Sequence, residues 1–153
     1  MRYKLENQEK KLDELLASID SVQDDELKAH LSKYFCVRIS GYLENVIKIL
    51  VAIYIEKGCP QPVSNFVLQD IKGLTNLSEE KLLKFLSKFS GDWGEKFQEK
   101  ISEKQLESLN SIISNRNSIA HGQQDNISYK MIGQYYIDLK EIVRALKDII
   151  KKK

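Results

Sequence analysis

Arg116, Asn117 and His121 stand close together in the run Arg116-Asn117-Ser118-Ile119-Ala120-His121, and Gly122 follows at once. Histidine, with a reference pKa of about 6.5, exchanges protons near neutrality. Arginine presents a planar fork that matches phosphate oxygens, and an amide adds a donor and an acceptor. Such groups are costly to bury without a use. The chain has two histidines, and His121 is one of them.

The elements that must position these groups follow from hydrophobic period. Leu106, Leu109 and Ile113 form a helical pattern leading into the run. Leu109, Ile113, Arg116 and Ala120 then share one face, which aims Arg116 toward the packed side. Asn117 and His121 are four apart and aligned, whereas His121 lies about 140° around the helix from Arg116. Arginine and histidine can face one point only if the helix unwinds at its end or a second surface completes the site. Gly122 suits a left-handed cap and permits the first. A symmetric dimer permits the second.

The motif helix is expected from Glu103 to about His121, opened by a Ser102/Gln105 capping box. Ahead of it, residues 3–19 form an amphipathic helix on Leu5, Leu12, Leu15, Leu16 and Ile19. A long central helix runs from Asp25 to about Lys57, capped by Asp24 or Asp25 and spanning on the order of 50 Å. Its main stripe includes Leu27, Phe35, Ile39, Tyr42, Val46 and Leu50. Val37, Ile47, Val51 and Ile55 form a second apolar face, expected to pack centrally or on another subunit. Arg38 and Asn45 share the margin of the main stripe, and Glu44 lies on the other face in register with Lys48. Gly58-Cys59-Pro60-Gln61-Pro62 stops that helix. A short helix is expected over residues 64–72 and another from Ser78, broken at Gly91-Asp92-Trp93-Gly94, with Trp93 as a packing anchor. Ser128 caps the last helix, and Lys151-Lys152-Lys153 suits the negative end of its dipole. Tyr129, Tyr135 and Tyr136 fall at spacings of core aromatics. With no alternating strand pattern and no repeat, the fold class is all-α, a single bundle of five to seven helices over residues 1–153.

Composition bounds the function. A net charge of +2 is too small to point to nucleic acid by itself, so any such reading rests on local features. Cys36 and Cys59 have neither metal spacing nor a framework of pairs and read as reduced thiols. The second histidine, His30, stands alone, and the carboxylates are scattered, so no metal site is expected. Residues 1–6 carry no apolar leader, and the apolar run at 49–55 is too short to cross a bilayer. The expectation is a cytoplasmic protein with no membrane partner.

The hexapeptide Arg116 to His121 resembles the R-x4–6-H motif, in its RNxxxH form, of the HEPN superfamily of small helical domains. The all-α pattern, the long early helix and the position of the motif agree with it. Arg38-Ile39-Ser40-Gly41-Tyr42-Leu43-Glu44 is similar to the RiboL-PSP-HEPN branch. The resemblance implies a metal-independent endoribonuclease, active as a homodimer with two motifs in one cleft, using the RNA 2′-hydroxyl as nucleophile and needing no cofactor. Carried over, Arg116 and His121 are the catalytic pair and Asn117 supports them by orienting the histidine or donating to the phosphate. Arg38, Asn45 and Glu44 are weaker candidates for supporting or substrate-binding roles. The resemblance also implies a toxin or defence effector acting on cellular RNA, with an antitoxin or other regulatory protein as a candidate partner.

Structural alternatives stand beside each of these. Arg116 alone is explained as a snorkelling core-edge side chain and His121 as a helix-dipole partner. Arg38 has a carboxylate across the bundle as an alternative partner, and Glu44 has Lys48. Two rival functions share the same architecture. One is a non-catalytic interaction module, the other a nucleotide-binding partner of a separate nucleotidyltransferase.

Overall fold

Serine and aspartate caps divide the chain into helices, and the computed structural model shows how. It describes residues 2–56, 58–125 and 127–151. Met1, Lys57, Asn126, Lys152 and Lys153 lie outside the described residues, and with them the expected last residue of the long helix and most of the terminal lysine run. Among the described residues there are seven helices and no strand: α1 (Arg2–Asp20), α2 (Asp25–Ile55), α3 (Gln61–Ile71), α4 (Glu79–Phe89), α5 (Gly91–Lys100), α6 (Glu103–Ala120) and α7 (Tyr129–Ile149). Asp24 caps α2 by accepting from the Leu27 N–H at 2.8 Å. Ser78, Ser102 and Ser128 cap α4, α6 and α7, with the reciprocal Ser102/Gln105 box complete.

Helices α1, α2, α6 and α7 form the centre. α1 runs antiparallel to α2, since Lys28 donates to the Asp20 carbonyl at one end and Asn45 reaches Gln8 at the other. α7 lies parallel to α2, with Tyr129 beside Lys28 and Tyr136 edge-on to Phe35 at 5.2 Å. α4 and α5 form a hairpin against α6 and α7, and α3 comes close to α2 alone. Every helix contributes to one apolar core around Phe35, Ile39, Tyr42, Leu43, Leu109 and Leu139. Trp93 is 7 % exposed, stacked on Phe89 and edge-on to Tyr54, as an anchor should be.

Two expected boundaries are corrected by the structure, and one open alternative is decided. Residues 91–94 are no loop: α5 starts at Gly91, and the break is the single residue Ser90, whose φ of −163° ends α4 while its hydroxyl accepts from the Asp92 N–H. A Cβ at Gly94 would sit 2.3 Å from Ser87 Oγ, so a larger residue there requires that hydroxyl to turn away. α3 begins at Gln61, three residues early, since proline is compatible with a first helical turn. The second apolar face of α2 is covered by the chain itself: Ile47 and Val51 are fully buried and Ile55 nearly so, leaving only Val37 exposed. On the main stripe, Leu27 in the first turn of α2 is exposed.

Candidate functional site

Each turn of α6 is pinned to a different neighbour before the motif begins. Ser108 donates its hydroxyl to the buried Asp138 carboxylate on α7. Asn110 exchanges two hydrogen bonds with Glu79 at the start of α4, at 3.0 and 3.2 Å. The buried Cys36 thiol lies 3.5 Å from the Ile112 carbonyl, joining α6 to α2. Burial, followed by the charge of Asp125, pushes that thiol up to about 12, so it stays protonated and unreactive. With Leu109, Ile112 and Ile113 buried, the helix is fixed in rotation, and the side chains that follow emerge toward solvent.

Arg116 is half-buried, and its Nη1 donates to Asn117 Oδ1 at 3.3 Å. Asn117 therefore orients the arginine, where the sequence suggested the histidine; its amide nitrogen remains as a donor. Asn115 and Ser118 bond back to carbonyls four residues earlier, those of Ser111 and Ser114. His121 is exposed and forms the C-cap, at φ −95° and ψ 7°.

Gly122 adopts φ +66° and closes the helix. Its N–H reaches the Ile119 carbonyl, and the Gln123 N–H reaches Ser118 at 2.8 Å. That pair of bonds is the Schellman arrangement, in which a left-handed residue lets the chain fold back onto the last carbonyls. Sequence spacing anticipates this glycine and its role.

Just beyond lies a clamp that the sequence reading missed. The Asp125 side chain is 6 % exposed, pairs with Lys33 of α2 at 3.2 Å and accepts from the Ile127 N–H at 3.3 Å. It ties the segment after the motif to α2 and fixes the path by which the chain leaves His121. The Asp-x-Ile turn ahead of Ser128 was its only local signal.

The weaker candidates are not brought to the motif. Arg38 donates to the Tyr34 hydroxyl at 2.7 Å and lies over the same ring, one turn earlier on α2, not against a carboxylate across the bundle. Asn45 donates to Gln8 of α1. Glu44 accepts from the backbone N–H of Asn76, the only non-glycine with positive φ among the described residues, while Lys48 turns to the Lys72 carbonyl. Asn45 and Glu44 hold neighbouring segments in place, and Arg38 stays on its own helix. Tyr136 is core, and the half-buried Tyr129 carries Lys28 over its ring. His30 is surface-exposed beside Glu26.

Among the described residues no group of three His, Cys, Asp or Glu side chains is gathered so as to hold a metal ion, and no helix is long and apolar enough to cross a membrane. No curated protein and no solved structure matches the chain. The family model for RiboL-PSP-HEPN matches residues 3–152, which takes in the whole bundle and the motif at the end of α6. The chain belongs to the RiboL-PSP-HEPN family.

Proposed function

We propose that this HEPN-type module is a metal-independent endoribonuclease that works as a homodimer on cellular RNA. The observation that carries the reading is the Arg116–Asn117 hydrogen bond one turn before an exposed, capped His121. His121 takes the proton of a 2′-hydroxyl as that oxygen attacks the adjacent phosphorus. The phosphorus–O2′ bond forms, the phosphorus–O5′ bond breaks, and O5′ takes a proton from the His121 of the second copy. Arg116 holds the charge that develops on the phosphorane oxygens, and the Asn117 amide nitrogen adds a donor. The products carry a 2′,3′-cyclic phosphate and a 5′-hydroxyl. Base, acid and cation all come from protein side chains, so the step requires no metal. A toxin or defence role extends this reading, with an antitoxin or other regulatory protein as the partner that restrains it.

The test is RNA cleavage by the purified chain in the presence of EDTA, beside Arg116→Ala and His121→Ala. Wild type is expected to cut and leave cyclic phosphate ends, and both variants are expected to be inactive with unchanged helical content. Expression of wild type, and not of His121→Ala, is expected to arrest growth. Products with 3′-hydroxyl ends formed only with added magnesium would point to two-metal hydrolysis. Wild-type rates in both variants would remove the catalytic assignment and leave the interaction module as the better reading.

A further inference from the structure

Helix α3 offers an apolar face that no part of the described chain covers. It approaches α2 alone, and the space between it and α4 is an open groove of about 170 Å³. Val67 and Ile71 form one wall, Phe85 and Phe89 the other. Phe66 stands over the groove at 74 % exposure, the most exposed large apolar side chain among the described residues, with Val63 nearby at 49 %. The groove's lining runs over residues 66–71 of α3 and 85–89 of α4, a length of about 8 Å or one and a half helical turns.

The rim tells what fits there. On the α4 side Lys88 lines the groove and Lys84 is exposed one turn before it, and neither has a carboxylate partner among the described residues. On the α3 side Asp70 lines the groove. Phe85 and Phe89 pack edge-on against each other at 5.2 Å, and Phe89 is also stacked on Trp93, so this wall offers joined rings instead of free faces.

We propose that this groove docks an amphipathic helix of a partner protein. Its apolar stripe lies on Phe66, Phe85 and Phe89, and its acidic flank lies along Lys84 and Lys88. An apolar stripe at spacings of three and four residues is what such a groove reads. RNA fits it less well, because Asp70 repels phosphate on one rim and only Phe66 has a face free for stacking. The surface shares no residue with the motif at the end of α6, so the proposal does not depend on RNA cleavage.

The experiment uses the full chain and a labelled synthetic helix of about four turns, with leucines three and four apart and glutamates along one flank, read by fluorescence anisotropy. A scrambled peptide of equal composition and a version with a lysine flank serve as controls. The glutamate-flank peptide is expected to bind on the order of tenfold tighter than the scrambled one, and Phe66→Ser to abolish that margin. Phe66 is exposed, so circular dichroism of this variant is expected to match wild type. The double variant Lys84→Glu/Lys88→Glu is expected to reverse the preference in favour of the lysine flank. Equal binding of the scrambled peptide, or charge reversal without effect, overturns the proposal. So does displacement of the peptide by single-stranded RNA, which makes the groove a nucleic-acid track. A fall in molar mass on Phe66→Ser also overturns it, by assigning the face to a second copy of this chain.

Discussion

The backbone N–H of His121 donates to the Asn117 carbonyl at 3.1 Å, the same four-residue step that runs through the rest of α6. The hydrogen-bond ladder therefore runs through the motif to the His121 N–H, and the chain leaves the helix at that cap and turns left-handed at Gly122. Early unwinding of α6 thus does not bring Arg116 and His121 to one point. The two side chains keep the separation of about 140° that an α-helix imposes on a five-residue step.

That geometry puts weight on Gly122. A Cβ at this position meets nothing within 4 Å, so a substitution is strained by φ +66° alone. We predict that Gly122→Ala costs roughly 1–2 kcal/mol, the penalty for a left-handed L-residue. The melting temperature then falls by about 2–4 °C per kcal/mol. Relieving the strain unravels the turn that carries His121, so RNA cleavage falls with it, and Gly122→Asn is milder on both counts because asparagine tolerates this conformation. Calorimetry and a cleavage assay on the two variants check the pair.

Glu44 separates a substrate-binding role from a structural one. Its carboxylate accepts from the Asn76 N–H at 3.1 Å and secures a left-handed turn between α3 and α4. We predict that Glu44→Ala lowers stability by about 1.5–3 kcal/mol, as expected for a lost hydrogen bond to a charged group, while the rate of RNA cleavage stays at the wild-type level. Denaturant unfolding reads the first, and cleavage well below the melting temperature reads the second. A large fall in KM-dependent rate at unchanged stability would return Glu44 to the substrate site.

Alkaline pH is expected to unfold the bundle at its α1–α2–α7 seam. Burial and the hydrogen bond to Glu9, at 2.8 Å, raise the Tyr42 hydroxyl above its usual value of 10.0. Burial and Asp13, at 2.6 Å, raise Tyr136 in the same way. Both are favoured in the neutral form when folded, so their contribution is complete below about pH 10 and is lost as the pH rises beyond it. Cys36 adds the same trend between its ordinary 9.0 and about 12. Of the seven tyrosines, two are then expected to ionise only as the helical signal disappears. Tyrosinate absorbance and circular dichroism followed in one titration test this, and full tyrosine ionisation with the helices intact would contradict it.

Caps and punctuation made most of this fold legible in the sequence. Asp24, Ser78, Ser102 with Gln105, and Ser128 each cap a helix where a hydrogen-bonding side chain precedes an apolar period. The same local chemistry marked Gly122 and the motif. What failed was everything that depends on a distant neighbour. Period shows that Ile47 and Val51 lie on an apolar face, but not that the same chain covers it. Two glycines around Trp93 read as a breaker, yet α5 starts on Gly91 and runs through Gly94, with Trp93 held by Phe89 and Tyr54 from other helices. Asn45 finds Gln8, and Asp125 finds Lys33, across separations that no spacing rule encodes.

Assembly rests on the motif and not on the long helix. Ile47, Val51 and Ile55 are buried inside the chain, so no spare apolar face on α2 asks for a partner. The α6 hydrogen-bond ladder runs to the His121 N–H, so one copy leaves Arg116 and His121 on divergent sides of the helix end. A two-fold axis close to the ends of two α6 helices would set the arginine of one copy opposite the histidine of the other, with a second histidine available as the acid. We therefore predict a homodimer in solution whose cleavage rate per subunit falls on dilution through its dissociation constant. Mixed dimers with one His121→Ala subunit lose either the base or the acid and are expected to cleave far more slowly than the average of the two parents. Light scattering that finds a monomer at micromolar concentration, together with activity proportional to enzyme across that range, would show that one copy suffices. The arginine side chain would then have to swing around the helix end to meet His121, and Asn117→Ala, which frees Nη1, would raise the rate instead of lowering it.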